Sequence, residues 1–125
     1  MAKHTSLEEL NELKAAIITA IEDKKGEKIV SIEIGKIENS ICDYFIICNA
    51  QSNTQVNAIS TGIEKDVREK LRIKPWHIEG RDNSQWIVMD YSSIIVHIFQ
   101  TPYRDFYKLE ELWADAPIQA ISSEE

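Results

Sequence analysis

The segment 85–100, which reads QWIVMDYSSIIVHIFQ, constrains the fold more than any other part of this sequence. Two runs rich in β-branched and aromatic residues flank Ser92 and Ser93, and this pattern predicts a β-hairpin with a two-residue turn. In the register set by that turn, Trp86 lies opposite Phe99. A four-residue loop would keep the same side chains on each face, whereas a three-residue loop would mix the two faces.

The two faces of this predicted hairpin differ in chemistry. One face is suited to a domain core and carries Ile87, Met89, Ile94, Val96 and Ile98, with Tyr91 at its end. The other face mixes apolar and titratable side chains, namely Trp86, Val88, Asp90, His97 and Phe99. In a dry core, the carboxylate and the imidazole would each need a buried partner. Two interpretations stay open: a short helix or tail of the same chain covers this face, or a partner molecule covers it.

Length, composition and charge favour one domain that binds a basic partner. A chain of 125 residues with 43% hydrophobic content predicts a single domain over residues 1–117 and a loose acidic tail over 118–125. The net charge is -7, and the segment from Tyr103 onward carries two basic and six acidic side chains. This concentration of negative charge disfavours contact with RNA phosphates and favours a basic protein partner.

The lack of a recognisable targeting pattern and the low cysteine content predict a cytoplasmic protein. No apolar run approaches the roughly 20 residues that a membrane span needs. The N-terminal sequence MAKHTSLEEL lacks the signal-peptide and transit patterns. Two cysteines, Cys42 and Cys48, are too few to indicate a disulfide framework.

Hydrophobic periodicity predicts the order α-β-β-α-β-β-β-α. A capping box at Thr5 or Ser6 begins a first helix over about 6–24, and alternation predicts a strand over 28–34. The nearly continuous apolar run 43–49 predicts a central strand that is covered on both faces.

The second half of the pattern completes an α/β fold. A second helix begins near Ser52 and ends near Leu71, and a short strand over 76–79 follows. This strand–helix–strand spacing predicts a right-handed βαβ unit with parallel pairing. After the hairpin, Thr101 can cap a third helix, whose apolar side holds Phe106, Leu109, Leu112 and Trp113. The expected architecture is a five-stranded mixed sheet with helices mostly on one side, a fold class between α/β and α+β.

Patterns of catalysis, metal binding or cofactor binding do not emerge. The strand-to-helix loop 49–55 has no glycine, and without glycine a phosphate group cannot easily approach the backbone amides of the loop. No Ser-His-acid arrangement is evident. The spacing of the candidate metal ligands matches no known site; these residues are Cys42, Cys48, His77 and His97. The sequence therefore predicts no enzyme, no cofactor and no metal.

One basic cluster stands apart from the acidic remainder, and it consists of Arg68, Lys70, Arg72 and Lys74. Its position at the end of the second helix suits the negative end of the helix dipole, with an RNA contact as the alternative.

Several segments together resemble the ribosomal silencing factor family, also called Iojap. These segments are DYFIIC with its polar loop, IEG, WIV-x-DY and IVHIF. The most specific part follows the IVHIF strand in fixed order and comprises Arg104, Tyr107, Leu109, Glu110, Leu112 and Trp113. The resemblance covers roughly residues 7–117.

The resemblance implies a fold similar to that of the nucleotidyltransferases, used without catalysis. An active transferase would carry Gly-Ser after the second strand and paired acids on the next strand. This chain has Asn49-Ala50-Gln51-Ser52 there and no D-x-D pair. A divergent nucleotidyltransferase-like enzyme stays as an alternative.

The resemblance also implies a partner. Family members bind the large ribosomal subunit through ribosomal protein uL-fourteen, block joining of the small subunit, and so repress translation when nutrients are scarce. Members in organelles assist assembly of the large subunit instead, which is a second alternative. The expected partner-binding residues are Trp86, Val88, His97, Phe99, Arg104, Tyr107, Glu110 and Trp113. Little or no RNA contact is expected, and off the ribosome a homodimer could bury the same face.

Overall fold

The computed structural model describes residues 6–37 and 40–121 and arranges them around one mixed β-sheet. The helices are α1 (Leu7–Asp23), α2 (Asn53–Leu71), α3 (Thr101–Tyr107) and α4 (Leu109–Leu112), with a short 3-10 turn at Ile34–Lys36. The strands are β1 (Glu27–Ile32), β2 (Tyr44–Ala50), β3 (His77–Glu79), β4 (Trp86–Asp90), β5 (Ile94–Gln100) and β6 (Ile118–Ala120). They lie in the order β3-β4-β5-β2-β1-β6, in which β2 and β5 pair in parallel and the other neighbours pair antiparallel.

The first helix begins at the capping box that the sequence predicts. The Ser6 hydroxyl accepts a hydrogen bond from the Glu9 backbone N–H at 3.0 Å, and the Glu9 carboxylate accepts one from the Ser6 N–H at 3.2 Å. These bonds satisfy amide groups that have no partner inside the helix. The alternative cap, Thr5, lies outside the described residues.

Helices α1 and α2 cover one face of the sheet, and α3 and α4 cover the other. Buried side chains of the two long helices, such as Ile17 and Ile63, pack with Ile46 and Val96 of the central strands. The smaller second core holds Phe45, Ile47 and Phe99 of the sheet, together with Leu109 of α4. The central strand β2 is therefore apolar on both faces, as its continuous pattern predicts.

The hairpin has the predicted register. Trp86 pairs with Phe99 and Asp90 pairs with Ile95, while the Tyr91 N–H donates to the Ile94 carbonyl at 2.9 Å. Ser92 has a φ of 75°, the left-handed conformation that such a short turn requires. The aliphatic face of the hairpin consequently faces α1 and α2.

The predicted pairing of the βαβ unit is wrong. The strand that lies parallel beside β2 is β5, whereas β3 pairs antiparallel with β4 at the sheet edge. The reason is burial: β3 has three residues, of which only Ile78 is even half-buried, whereas β5 is apolar enough to occupy the centre. The short strand can satisfy an edge position but cannot fill a central one.

The expected strand number and the expected tail also need correction. Within the described residues the sheet has six strands, because Ile118–Ala120 pairs antiparallel with β1 where a loose tail is predicted. A hydrogen bond just before β6 supports this pairing, since the Pro117 carbonyl accepts from the Glu33 N–H at 2.9 Å. The acidic end of the predicted tail, residues 122–125, lies outside the described residues.

The predicted third helix is broken in two. Lys108 adopts a left-handed φ of 48° between α3 and α4, which ends one helix and starts the next. Leu109 is buried in the core after the break, but Phe106 and Leu112 are exposed. The sequence pattern, interpreted as one continuous helix, predicts that both are buried.

Candidate partner-binding surface

The chain covers much of its own aromatic hairpin face. Phe99 is fully buried and His97 is 7% exposed, beneath the segment that forms α3 and α4. Trp86 and Val88 remain half-buried. For His97 and Phe99, the structure therefore corresponds to the interpretation in which a segment of the same chain provides the cover.

Aromatic rings connect the sheet to α3. Trp86 stacks on Phe99 with ring centroids 4.9 Å apart, and the Tyr107 ring lies 4.8 Å from Trp86. Phe106 meets Tyr107 edge-on at 5.1 Å. The row thus runs from the buried Phe99 through the half-buried Trp86 to the exposed Tyr107 and Phe106. We call its exposed part, Trp86, Tyr107 and Phe106, the aromatic surface.

His97 is a buried neutral imidazole. Its Nδ1 accepts a hydrogen bond from the Trp86 indole N–H at 3.1 Å, which fixes the tautomer with its proton on Nε2. Within the described residues, Nε2 is buried without a hydrogen-bond partner, and the Phe45 ring lies 4.6 Å away, edge-on. Burial lowers the pKa of His97 from 6.5 to about 4. His97 therefore sets the orientation of Trp86 and carries no charge near neutral pH.

Arg104 of α3 binds to the sheet through buried hydrogen bonds. Its guanidinium, which is buried, donates to the Lys28 carbonyl at 2.6 Å and to the Asn49 side-chain oxygen at 2.8 Å. It also pairs with the half-buried Glu110 carboxylate, with 3.1 Å between Nε and the oxygen. Asn49 completes the network by donating to the Thr101 hydroxyl at 3.0 Å. Arg104 and Glu110 thus hold the segment in place and are largely withdrawn from solvent.

Two residues that reach solvent on this side are ones that the sequence assigns to the buried side of a third helix. Phe106 is 75% exposed and Leu112 is 73% exposed. A helical repeat places both on a buried side, and only the break at Lys108 separates them from the core. Trp113 is half-buried against Phe45, with ring centroids 5.5 Å apart. No local sequence signal for the break is evident, since lysine has no special preference for a left-handed backbone.

Negative charge lies on the same chain segment as the exposed apolar side chains. The carboxylates of Asp105, Glu111 and Asp115 lie on exposed residues of the same segment, and Lys108 is the exposed cation among them. Arg104 does not add to the exposed charge because it is paired with Glu110. We call the three carboxylates the acidic rim; exposed apolar side chains together with them fit a partner that is both apolar and basic.

Other chemistry has little geometric support in the described part of the chain. No group of three or more His, Cys, Asp or Glu side chains is placed to hold a metal ion within residues 6–37 and 40–121. Cys42 and Cys48 are buried, and burial raises the pKa of each thiol to about 12. Among the described helices, none has the length and apolar character to cross a membrane.

Comparison with known proteins decides the family. The family model described as "Ribosomal silencing factor during starvation" matches residues 7–125. This chain belongs to the ribosomal silencing factor family. The resemblance carried by the DYFIIC, IVHIF and C-terminal segments is thereby confirmed, and the match extends through β6.

Named relatives support the same membership over most of the chain. The ribosomal silencing factor of Halalkalibacterium halodurans is 36% identical over 107 residues, which cover 85% of this chain and 89% of the relative. The ribosomal silencing factor of Bacillus subtilis is 37% identical over 99 residues, covering 79% and 82%. A mouse protein named "Mitochondrial assembly of ribosomal large subunit protein 1" is 27% identical over 78% of this chain and 43% of its own length.

Solved structures agree with the fold. A crystal structure of a protein from Chromobacterium violaceum superposes with a TM-score of 0.78 at 27% identity, covering 83% of this chain and 85% of that one. The mixed α/β architecture of this chain is therefore shared with a solved protein. The family name links the chain to regulation of translation and to the ribosome.

Proposed function

We propose that this silencing factor binds the large ribosomal subunit through ribosomal protein uL-fourteen and so blocks joining of the small subunit. The occupied subunit would be withheld from translation when nutrients are scarce. The observation that carries the proposal is the aromatic surface with its acidic rim, on a chain whose family is named for ribosomal silencing. The action is steric and needs no catalysis, cofactor or RNA contact.

The contact residues divide into two groups. We propose that the solvent-facing members touch the partner; these are Trp86, Val88, Phe106, Tyr107 and Trp113. Three buried members, His97, Phe99 and Arg104, act indirectly by holding the others in position, and the half-buried Glu110 does so through its ion pair with Arg104. Aromatic anchors on a rigid support typically dominate binding energy, since little conformational entropy is lost on association.

Charge supports a basic partner. Ribosomal proteins are generally basic, and the exposed carboxylates of Asp105, Glu111 and Asp115 would attract such a surface and accelerate encounter. The same negative charge disfavours the phosphate backbone of ribosomal RNA.

Cosedimentation with purified large subunits tests the proposal. Phe106→Ala removes a side chain that is 75% exposed, so the fold should be retained while binding falls at least tenfold. Trp76→Ala is the matched control, because Trp76 is 80% exposed and lies outside the aromatic surface. A subunit-joining assay should then show inhibition by the wild type and the control but not by Phe106→Ala. Equal cosedimentation of both variants would remove the aromatic surface from the interface.

The name of the mouse relative favours a second function, assembly of the large subunit. Depletion of the protein in growing cells separates the two roles. Accumulation of immature large-subunit particles would favour assembly, whereas a normal subunit profile with failed translational shutdown on starvation would favour silencing.

A further inference from the structure

A second apolar surface lies at the opposite end of β4 from Trp86. The β4–β5 turn, the first half of α1 and the segment after α2 enclose a groove of about 910 Å³. We call it the turn-end groove. Since β4 spans five residues, roughly 13 Å of strand separates the two ends. The groove is therefore distinct from the aromatic surface.

The floor of the turn-end groove is apolar. Leu13 and Tyr91 are buried at its base, and Leu71 and Ile73 line it half-buried. Its volume is near the upper end of the roughly 300–1,000 Å³ that small-ligand pockets span. Space of this size admits several apolar side chains at once.

The rim extends the apolar surface beyond the cavity. Trp76 is 80% exposed and Ile41 is 69% exposed, although both line the groove. A small ligand inside the cavity would leave most of these two side chains in water. A polypeptide lying across the rim would cover them, and a tryptophan can bury about 150–250 Å² in such a contact.

The Trp76 backbone is fixed before any partner arrives. Its N–H donates to the Asp90 carbonyl at 2.7 Å, which ties the segment to β4, and the preceding Pro75 has a restricted φ. An aromatic side chain on a fixed backbone loses little entropy when it is covered, which is the property of a binding anchor.

The charged residues that line the turn-end groove are acidic, and the exposed Arg72 and Lys74 on the segment after α2 are not among the lining residues. Glu9, Glu12 and Asp90 line it, and no lysine, arginine or histidine is among its described lining residues. Glu9 is used by the α1 capping box, and one Asp90 oxygen accepts the Ser92 N–H at 2.7 Å. Glu12 is exposed and forms no ion pair with another described residue. A basic group of a partner would find a carboxylate here without displacing an existing pair.

We propose that the turn-end groove binds a segment of a protein partner in which apolar side chains alternate with lysine or arginine. Charge complementarity selects this occupant. A nucleic acid would meet repulsion from the carboxylates, and a second copy of a chain with net charge -7 is a poor electrostatic match. The contact is separate from the one that the aromatic surface makes, so it does not depend on the proposed ribosomal function.

The test uses the full chain and two fluorescently labelled peptides of equal length, one alternating leucine with lysine and the other alternating leucine with glutamate. The lysine peptide should bind the wild type, with affinity reduced at least tenfold by Trp76→Ala and by Glu12→Lys. Two controls should bind it as the wild type does: Phe106→Ala on the aromatic surface, and Glu22→Lys, an exposed glutamate further along α1.

Three results would overturn the proposal. They are absence of binding at millimolar peptide, equal affinity for the glutamate peptide, and equal loss of affinity in the control variants. Cosedimentation with large subunits, measured on the same four variants, tests the proposed function separately. Loss of cosedimentation in Phe106→Ala only, with loss of peptide binding in Trp76→Ala and Glu12→Lys only, would establish two independent surfaces.

Discussion

The indole N–H of Trp86 donates to Nδ1 of His97 across the β4–β5 pair, at 3.1 Å. An indole can only donate, and a protonated imidazole can also only donate. The contact therefore exists only while His97 is neutral. A half-buried residue of the aromatic surface is in this way held by a titratable group that is itself buried.

Stability should fall in acid because of His97. Burial depresses its pKa from 6.5 in the unfolded chain to about 4 in the fold. The unfolded state binds the proton first, so stability is complete above about pH 6.5, declines between 6.5 and 4, and falls no further through this group below pH 4. The loss should amount to about 3 kcal/mol. Urea unfolding at a series of pH values from 7 to 4 measures this loss. His97→Leu should remove this part of the pH dependence of the free energy of unfolding. An identical pH dependence in the wild type and the variant would contradict the prediction.

Loss of Arg104 should loosen the C-terminal segment. Arg104→Met keeps most of the apolar stem but removes the bonds to Lys28, Asn49 and Glu110, and we expect a cost of roughly 2–4 kcal/mol. The midpoint of urea unfolding measures this at pH 7. Glu111→Gln, on an exposed residue of α4, should change the free energy of unfolding by less than about 0.5 kcal/mol. Equal effects of the two substitutions would show that the network contributes little.

Gly80→Ala should be strongly destabilising. Gly80 has a φ of 96°, and an added Cβ would lie 2.1 Å from the Trp86 carbonyl oxygen. Strain and steric overlap together should cost more than about 2 kcal/mol. At Gly35, an added Cβ would be no nearer than 3.3 Å to the Asp43 carboxylate, so Gly35→Ala should cost less. Thermal unfolding of the two variants compares them, and similar midpoints would argue against the strain.

Charge reversal on the acidic rim should slow association with the large subunit. Asp105→Lys combined with Glu111→Lys should reduce the association rate constant about three- to tenfold at low salt, because steering by opposite charges is lost. At high salt the difference from the wild type should vanish, since screening already removes the attraction. Stopped-flow mixing with fluorescent large subunits measures the rate, with Glu22→Lys as a control at the same ionic strength. A salt-independent difference would indicate a lost contact instead.

The sequence predicts those parts of the fold that local pattern determines. The alternation around Ser92 and Ser93 sets the hairpin register, and the capping box sets the start of α1, because each depends on neighbours along the chain. Pairing between distant strands is different. Whether β3 or β5 lies beside β2 depends on how much apolar surface each strand can bury. The sequence pattern identifies both segments as strands but does not show which of them occupies the central position.

The candidate surface is predictable only in part. Of the predicted partner-binding residues, Trp86 and Tyr107 reach solvent, and their contact with a partner stays a prediction. Burial of His97 and Phe99 could not be read from the hairpin alone, because it depends on where α3 and α4 lie. Exposure of Phe106 and Leu112 follows from the left-handed Lys108, which lies between the buried Arg104 and Leu109 and depends on tertiary structure rather than on the local sequence.

The pairing of β6 with β1 has a consequence beyond strand count. Its three residues, all exposed, occupy the outer hydrogen-bonding groups of β1. A chain that ended at Pro117 would leave that row of amides and carbonyls open, beside the apolar Val30 and Ile32, as a template for strands of other molecules. We therefore expect loss of β6 to favour aggregation through the uncovered edge of β1.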